Sequence, residues 1–367
     1  MMTDRHAPQE NTSGRSDVTT RKLNKVRNSY YVYLPRGWCE RNLSHEHAKV
    51  TVREMADGTL SISPASDTVS TKDEITVTLS GDPVEAQIVL TGAYIVGIDR
   101  IEVRFPQRPD LSVREYISSW TKNLPGFEVM DESDYGMVIS DTSEKQLVGP
   151  ILRRQFNMTR FMLYALVDCL RAPDTKVIER IRTRDEDVDR YRYLVERMCH
   201  IAIIDSAYAR KINMRQTDCL HYSAAAKRVE RIADHICGAA TQLELLSDGT
   251  QSTIELVQNT AQLYDDTTAA FFSAQSSDKS DANKADERMA VDVLGQAKEI
   301  AHRAAKFELS HEKSLPSDVL LLMHIERIAS YCADICEIAI NRTIEGMLNP
   351  YQTHREGWHG SRQRERS

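Results

Sequence analysis

The sequence holds no Cys-x-x-Cys pair, no His-Glu-x-x-His, no Gly-x-Gly-x-x-Gly or Walker-type loop, and no long apolar run. Each absence removes a class of protein. Seven cysteines (Cys39, Cys169, Cys199, Cys219, Cys237, Cys332, Cys336) are odd in number and scattered, which points to free thiols in a reducing cytoplasm rather than a disulfide framework or zinc site. Without about 18 consecutive apolar residues there is no membrane helix, and the polar N-terminus has no apolar core of a secretory signal. No Ser, Thr or Cys nucleophile has a recognisable base partner in a motif, so covalent catalysis has no signature. A formal net charge of −7 gives no global case for a polyanion partner, so charge is weighed segment by segment.

What is present is enough apolar residue, 41% beside 28% charged, to bury real cores. At 367 residues, two or three domains are expected. Residues 1–19 are polar and read as a disordered tail. Residues 20–66 read as a small strand-rich head. Tyr31 to Leu34 alternate up to Pro35, residues 36–42 suit a short helix, and Asp57-Gly58 signals a hairpin between Val50/Val52 and Leu60/Ile62. Between Arg21 and Pro64 there are eight Lys/Arg against four Asp/Glu, a local surplus of four in an acidic chain. A solvated basic face explains this as well as a polyanion site does.

A Ser/Thr/Asp linker leads into residues 67–145, read as strand, helix, strand, helix and a final hairpin, with Asp82-Pro83 as the first helix start. Residues 146–348 turn helical. Breakers at Pro173, Ser247-Asp248-Gly249, residues 273–281 and Pro316 divide them into two sets of three helices. These are 145–171, 174–213 and 216–246, then 253–275, 281–310 and 317–347. The domain-level division is repeat one at 146–248 and repeat two at 252–348, followed by a basic, polar tail at 349–367. The fold class is therefore multidomain α+β.

The third helix of each set carries an echo, Val229-Glu230-Arg231-Ile232-Ala233-Asp234 against Ile325-Glu326-Arg327-Ile328-Ala329-Ser330. Val229, Ile232 and Ile236 form a buried stripe, and Glu230 and Asp234 stand one turn apart beside it. Two stacked like charges ask for a compensating cation. Asp185 and Asp189 repeat the spacing one helix earlier, and antiparallel helices would set the two pairs face to face. Four carboxylates would suit Mg²⁺, Mn²⁺, Ca²⁺ or a carboxylate-bridged iron or zinc cluster. Solvated acids neutralised by Arg190, Arg228 or Arg231 are the plainer reading. In repeat two, Asp286 and Glu326 remain, but Ala290 and Ser330 replace the second acids. Cys332 falls on an apolar stripe and reads as a core thiol.

Two resemblances follow from these residues. Arg21-Lys22-Leu23-Asn24-Lys25, Tyr30 to Trp38 and Asp57-Gly58-Thr59-Leu60 resemble an AbrB/SpoVT-type domain. That resemblance implies a small β-barrel swapped between two chains that binds DNA, with Arg21, Lys22, Lys25, Arg27 and Arg36 as the phosphate-holding residues. Asp185-x-x-x-Asp189 with Glu230 to His235, in a duplicated three-helix frame, resembles PhoU, the phosphate-uptake regulator; together with the head it looks like the archaeal architecture of that family. That implies two three-helix-bundle repeats and metal held by Asp185, Asp189, Glu230 and Asp234, more weakly by Asp286 and Glu326 (Fe, Zn, Mg or Mn). It also implies a cytoplasmic homodimer whose partners include DNA and a phosphate-transporter ATPase or phosphate-signalling protein. The expected function is non-enzymatic transcriptional control of phosphate uptake. The alternatives are a metal-dependent hydrolase built on the same acids, and a purely protein-binding module whose head only dimerises.

Overall fold

The computed structural model describes residues 20–43, 49–54, 58–65, 73–143, 146–243, 251–273, 280–310 and 316–348. Both tails, the 66–72 linker, Asp57 of the hairpin pair and the break at Ser247 to Gly249 lie outside the described residues.

In the head, strands β1 (Asn24–Val26) and β2 (Ser29–Tyr31) form one antiparallel hairpin. Helix α1 (Arg36–Asn42) follows, then β3 (Val50–Glu54) and β4 (Leu60–Pro64) form a second. The first hairpin turns on two residues, and Arg27 takes φ +56°, a left-handed conformation usual for Gly or Asn. The alternation predicts a strand from Tyr31 to Leu34; the strand instead ends at Tyr31 because the turn sets the register Asn24↔Tyr31. The two ladders are separate, and the described residues of one chain close no barrel. None of these residues is buried: Leu23, Val26, Tyr30, Tyr33, Val52 and Leu60 all stand more than half exposed.

The next segment runs β5 (Glu74–Thr78), α2 (Pro83–Ile95), β6 (Arg100–Arg104), α3 (Leu111–Thr121), β7 (Phe127–Ser133) and β8 (Gly136–Asp141). The sheet order is β5-β6-β8-β7, with β5 parallel to β6 and the other pairs antiparallel. Asp82 caps α2 by accepting from Val84 N at 3.1 Å, and Pro83 follows at the first helical position. Leu90, Tyr94, Ile101, Val103, Ile117 and Ile139 close its core.

The helical region consists of α4 (Val148–Arg171), α5 (Thr175–Ile204), a short α6 (Ser206–Lys211), α7 (Gln216–Leu243), α8 (Gln251–Ser273), α9 (Ser280–Ser310) and α10 (Pro316–Leu348). The six long helices match the two sets of three. The departure is α5, which stops at Ile204 instead of continuing to 213. Asp205 adopts an extended φ of −107°, and its carboxylate accepts from Ala207 N (2.7 Å) and Tyr208 N (3.1 Å), starting α6. A cap inside an apolar-periodic run outcompetes the continuing helix.

One core joins the two repeats. Val229, Ile232 and Ile236 of α7 meet Ile325, Ile328 and Cys332 of α10, all fully buried. Each such side chain contributes about 1.5–3 kcal/mol by leaving water. The echoed helices run antiparallel, with Arg228 pairing Asp334 (2.6 Å), His235 meeting His324 and His221 pairing Glu345 (3.2 Å).

The α/β segment docks on the helical region through α5. Arg197, 3% exposed, donates to Tyr94 O (2.7 Å) and Ile98 O (2.8 Å), and pairs with Asp99 (3.0 Å) and Asp141 (2.8 Å). Its guanidinium also lies over the rings of Tyr94 and Phe127. Both Nη groups donate twice, to two carbonyls and two carboxylates, a spread that the single ammonium of a lysine could not reproduce.

Candidate functional site

Helix α5 is capped by Asp174, which accepts from Lys176 N at 2.9 Å, and it packs against α7 with Ile178, Ile181 and Val188 buried in the common core. That packing brings the two acid pairs together. Glu230 is buried, and Asp185, Asp189 and Asp234 are half-buried.

The electrostatics record their closeness. Burial, followed by the charges of Asp234 and Asp189, pushes Asp185 up to about 7. Burial also pushes Glu230 up to about 7, opposed by Arg192 and reinforced by Asp234 and Asp189. Asp189 is raised by burial too, again against Arg192 and with Asp234. The charges of these acids are thus linked across the α5–α7 seam.

Cations enter this set from its own two helices. Arg231 Nη1 donates to Asp234 Oδ2 at 2.9 Å, and its Nε lies 3.5 Å from Glu230. Arg192 Nε lies 3.6 Å from the other oxygen of Glu230. Of the arginines named as neutralisers from the sequence, only Arg231 serves here. Arg190 pairs with Asp187 and Arg228 with Asp334, while Arg192, three residues beyond Asp189, takes the second place. Among the described residues, no three His, Cys, Asp or Glu side chains converge closely enough to hold an ion. The donor chemistry fits a hard cation; the geometry is that of Glu230 and Asp234 turned toward arginine.

Repeat two differs at the same positions. Ser330 Oγ donates to Glu326 Oε1 at 2.8 Å, so a hydroxyl occupies the place of the second acid. Ala290 is buried in the core, and Asp334 is engaged by Arg228. Asp286 lies on α9, and the pair Asp286/Glu326 has no companion acids at the aligned positions.

The echoed helices also meet through a pair the motif did not announce. His235 Nδ1 stands 2.9 Å from His324 Nδ1, and the Tyr331 ring stacks on His235. A Cβ on Gly238 would collide with the His324 ring, so that glycine is what lets α10 approach α7. Burial lowers both histidines, His235 further through His324. His235 therefore serves the seam between repeats. The only sequence signal for this was a histidine flanking each copy of the echo.

In the head, Arg21 and Lys22 precede β1, Lys25 lies on it, Arg27 is in the turn and Arg36 opens α1, all exposed. Lys25 sits over the Tyr30 ring, and Arg36 pairs with Glu40 at 2.7 Å. Four of the five gather around one hairpin, and Arg36 is partly neutralised by its own helix.

Comparison with known proteins bears on the helical region. No curated protein matches the chain. One similar solved structure is the crystal structure of the phosphate transport system regulatory protein PhoU from Streptococcus pneumoniae, at 14% identity and a TM-score of 0.40, covering 53% of this chain and 92% of that one. Residues 152–243 match the family model of the PhoU domain, and Asp185, Asp189, Glu230 and Asp234 all lie inside that matched stretch.

Proposed function

We propose that this chain regulates phosphate transport, acting as a non-enzymatic adaptor between a phosphate-responsive helical body and a DNA-binding head. The observation that carries the reading is the PhoU-domain match over residues 152–243, which contains the whole acidic seam. No helix is long and apolar enough to cross a membrane among the described residues, which is compatible with a regulator that meets a transporter ATPase or signalling protein at the cytoplasmic side.

The head is proposed to dimerise and bind DNA. Two features support this. None of its described residues is fully buried in one chain, which supports a second chain supplying the missing core. Its exposed Arg21, Lys22, Lys25 and Arg27 cluster at one hairpin, as phosphate contacts require. DNA affinity should then fall steeply with salt, and Lys25→Glu with Arg27→Glu should reduce both affinity and salt slope. An unchanged slope would leave the head a dimerisation module only. Arg27→Gly separates charge from shape, since it relaxes the left-handed turn while removing the cation.

The acidic seam is proposed to take a divalent or iron-type ion (Fe, Zn, Mg or Mn) when Arg231, more than half exposed, swings away from Asp234 and Glu230. When bound, the ion would supply positive charge to the carboxylates. Asp185, Asp189, Glu230 and Asp234 would hold it, and Arg192 would stay with Glu196 at 3.3 Å. Metal content of purified protein should drop on Asp189→Ala with Asp234→Ala; equal metal in both proteins refutes the assignment. Mapping of DNA bound in cells at high and low phosphate tests the whole reading, with enrichment at phosphate-transport genes expected.

A further inference from the structure

Helix α2 is apolar on both its inner and its outer face, and its polar Gln87 and Thr91 are taken up by Tyr116 and Trp120 of α3. Its thirteen residues include one charge, Glu85, and that carboxylate is engaged by Ser80. A helix with two apolar faces is expected to be covered on both. The inner face is covered, with Ala86, Leu90, Ala93 and Tyr94 buried. The outer face is not. Val84, Ile88, Gly92 and Val96 recur every four residues; the three side chains are 60%, 66% and 47% exposed, and a methyl group built on Gly92 would touch nothing. The neighbouring α3 is ordinary by comparison, since Arg114, Glu115, Ser118 and Ser119 dilute its apolar residues.

The strand that feeds α2 is bare in the same way. Among the described residues β5 pairs only with β6. Its sequence, Glu-Ile-Thr-Val-Thr, has no proline, no lysine and no bulge, the usual devices that protect a sheet edge. Ile75 lies in register with the buried Ile101, yet it remains 38% exposed. Because α2 connects β5 to its parallel neighbour β6, the bare helix face and the bare strand belong to the same half of the sheet.

We propose that β5 and the outer face of α2 form a two-fold contact with the same elements of a second copy, so that two sheets run on as one through an antiparallel β5–β5 pair. A second copy fits because the edge is self-complementary. In a register centred on Thr76, Ile75 lies opposite the partner's Val77 and Glu74 opposite the partner's Thr78, so no like charges meet. Glu74 already pairs with Arg100 at 2.9 Å, and the row continues through the partner's Thr78 to the partner's Arg104, an acid between two bases. The linker favours the same occupant, a point that rests on the head dimer proposed above. From Ala65 to Asp73 the chain reaches at most about 28 Å, so a shared head delivers two β5 edges to each other at high effective concentration.

The test uses the full-length chain carrying Thr76→Cys, with Thr78→Cys as the off-register control, oxidised with copper phenanthroline. Opposed residues in an antiparallel pair have Cβ atoms about 4.5–5.5 Å apart, close to the span of a disulfide. The Thr76→Cys protein should form covalent dimer at least about tenfold faster than the control, and adding Ile88→Glu should slow it about tenfold by setting like charges in the contact. Equal rates for the two cysteine variants, or no effect of Ile88→Glu, overturn the proposal. Peptide mapping that finds the introduced thiol joined to Cys39 also overturns it, because the edge is then covered by the head. Sedimentation of the unmodified chain separates the two readings. A dimer without the cross-link removes this contact alone, and a monomer without it removes the head dimer as well.

Discussion

Replacing Arg197 should release the α/β segment from the helical region without unfolding the helices. The side chain is 3% exposed and serves four acceptors, two backbone carbonyls and two carboxylates, between 2.7 and 3.0 Å. In Arg197→Ala the carbonyls of Tyr94 and Ile98 lose their side-chain donor. Asp99 and Asp141 lose their guanidinium partner at side-chain exposures of 32% and 16%, so water recovers part of what they lose. Breaking a buried pair costs about 3–5 kcal/mol, and this partial rehydration places the expected loss near the lower end, about 3 kcal/mol. Hydrogen exchange read by mass spectrometry localises the effect. Residues 74–141 should exchange about a hundredfold faster in Arg197→Ala, as that free energy implies, while α7 and α10 keep their protection. Arg197→Lys should fall between, because one ammonium cannot reach four acceptors. Unchanged protection in the sheet would refute the role of Arg197 as the latch, and equal loss everywhere would refute the independence of the two layers.

Two further outcomes test the seam. Glu230 is raised to about 7 from an ordinary 4.5, so the folded state binds more protons than the unfolded state between those values; its contribution to stability is fully present below about 4.5 and is lost as pH rises through about 7. Glu230→Gln should therefore leave the melting temperature unchanged near pH 4 and raise it at pH 8, and the opposite trend would show that the arginines outweigh the cost of burial. Gly238→Ala should destabilise by about 1–3 kcal/mol in chemical denaturation, since the added methyl drives into the His324 ring and parts α7 from α10. A neutral result would mean that the histidine ring moves freely and does not fix the contact.

The acid pairs and most helix boundaries were legible because they are local. Four-residue spacing puts Asp185 beside Asp189 and Glu230 beside Asp234 on any helix, and Asp82-Pro83 starts α2 wherever it sits. The Glu-Arg-Ile-Ala echo further announced that two helices share one design. The end of α5 was not legible, because Asp205 as a cap and Asp205 as a surface residue read the same until the backbone turns.

Long-range choices belong to the tertiary structure. Which arginines meet the acids was decided by packing: Arg192 and Arg231 reach Glu230, whereas Arg190 and Arg228, as plausible in the sequence, are drawn to Asp187 and Asp334. Arg197 looks like any helix arginine until the sheet arrives around it. His235 and His324 lie 89 positions apart and come together only because Gly238 leaves room for a ring. Sequence periodicity determines what each helix face offers; only the contacts between faces decide which offer is taken up, because a side chain's partner depends on distances that no local pattern carries.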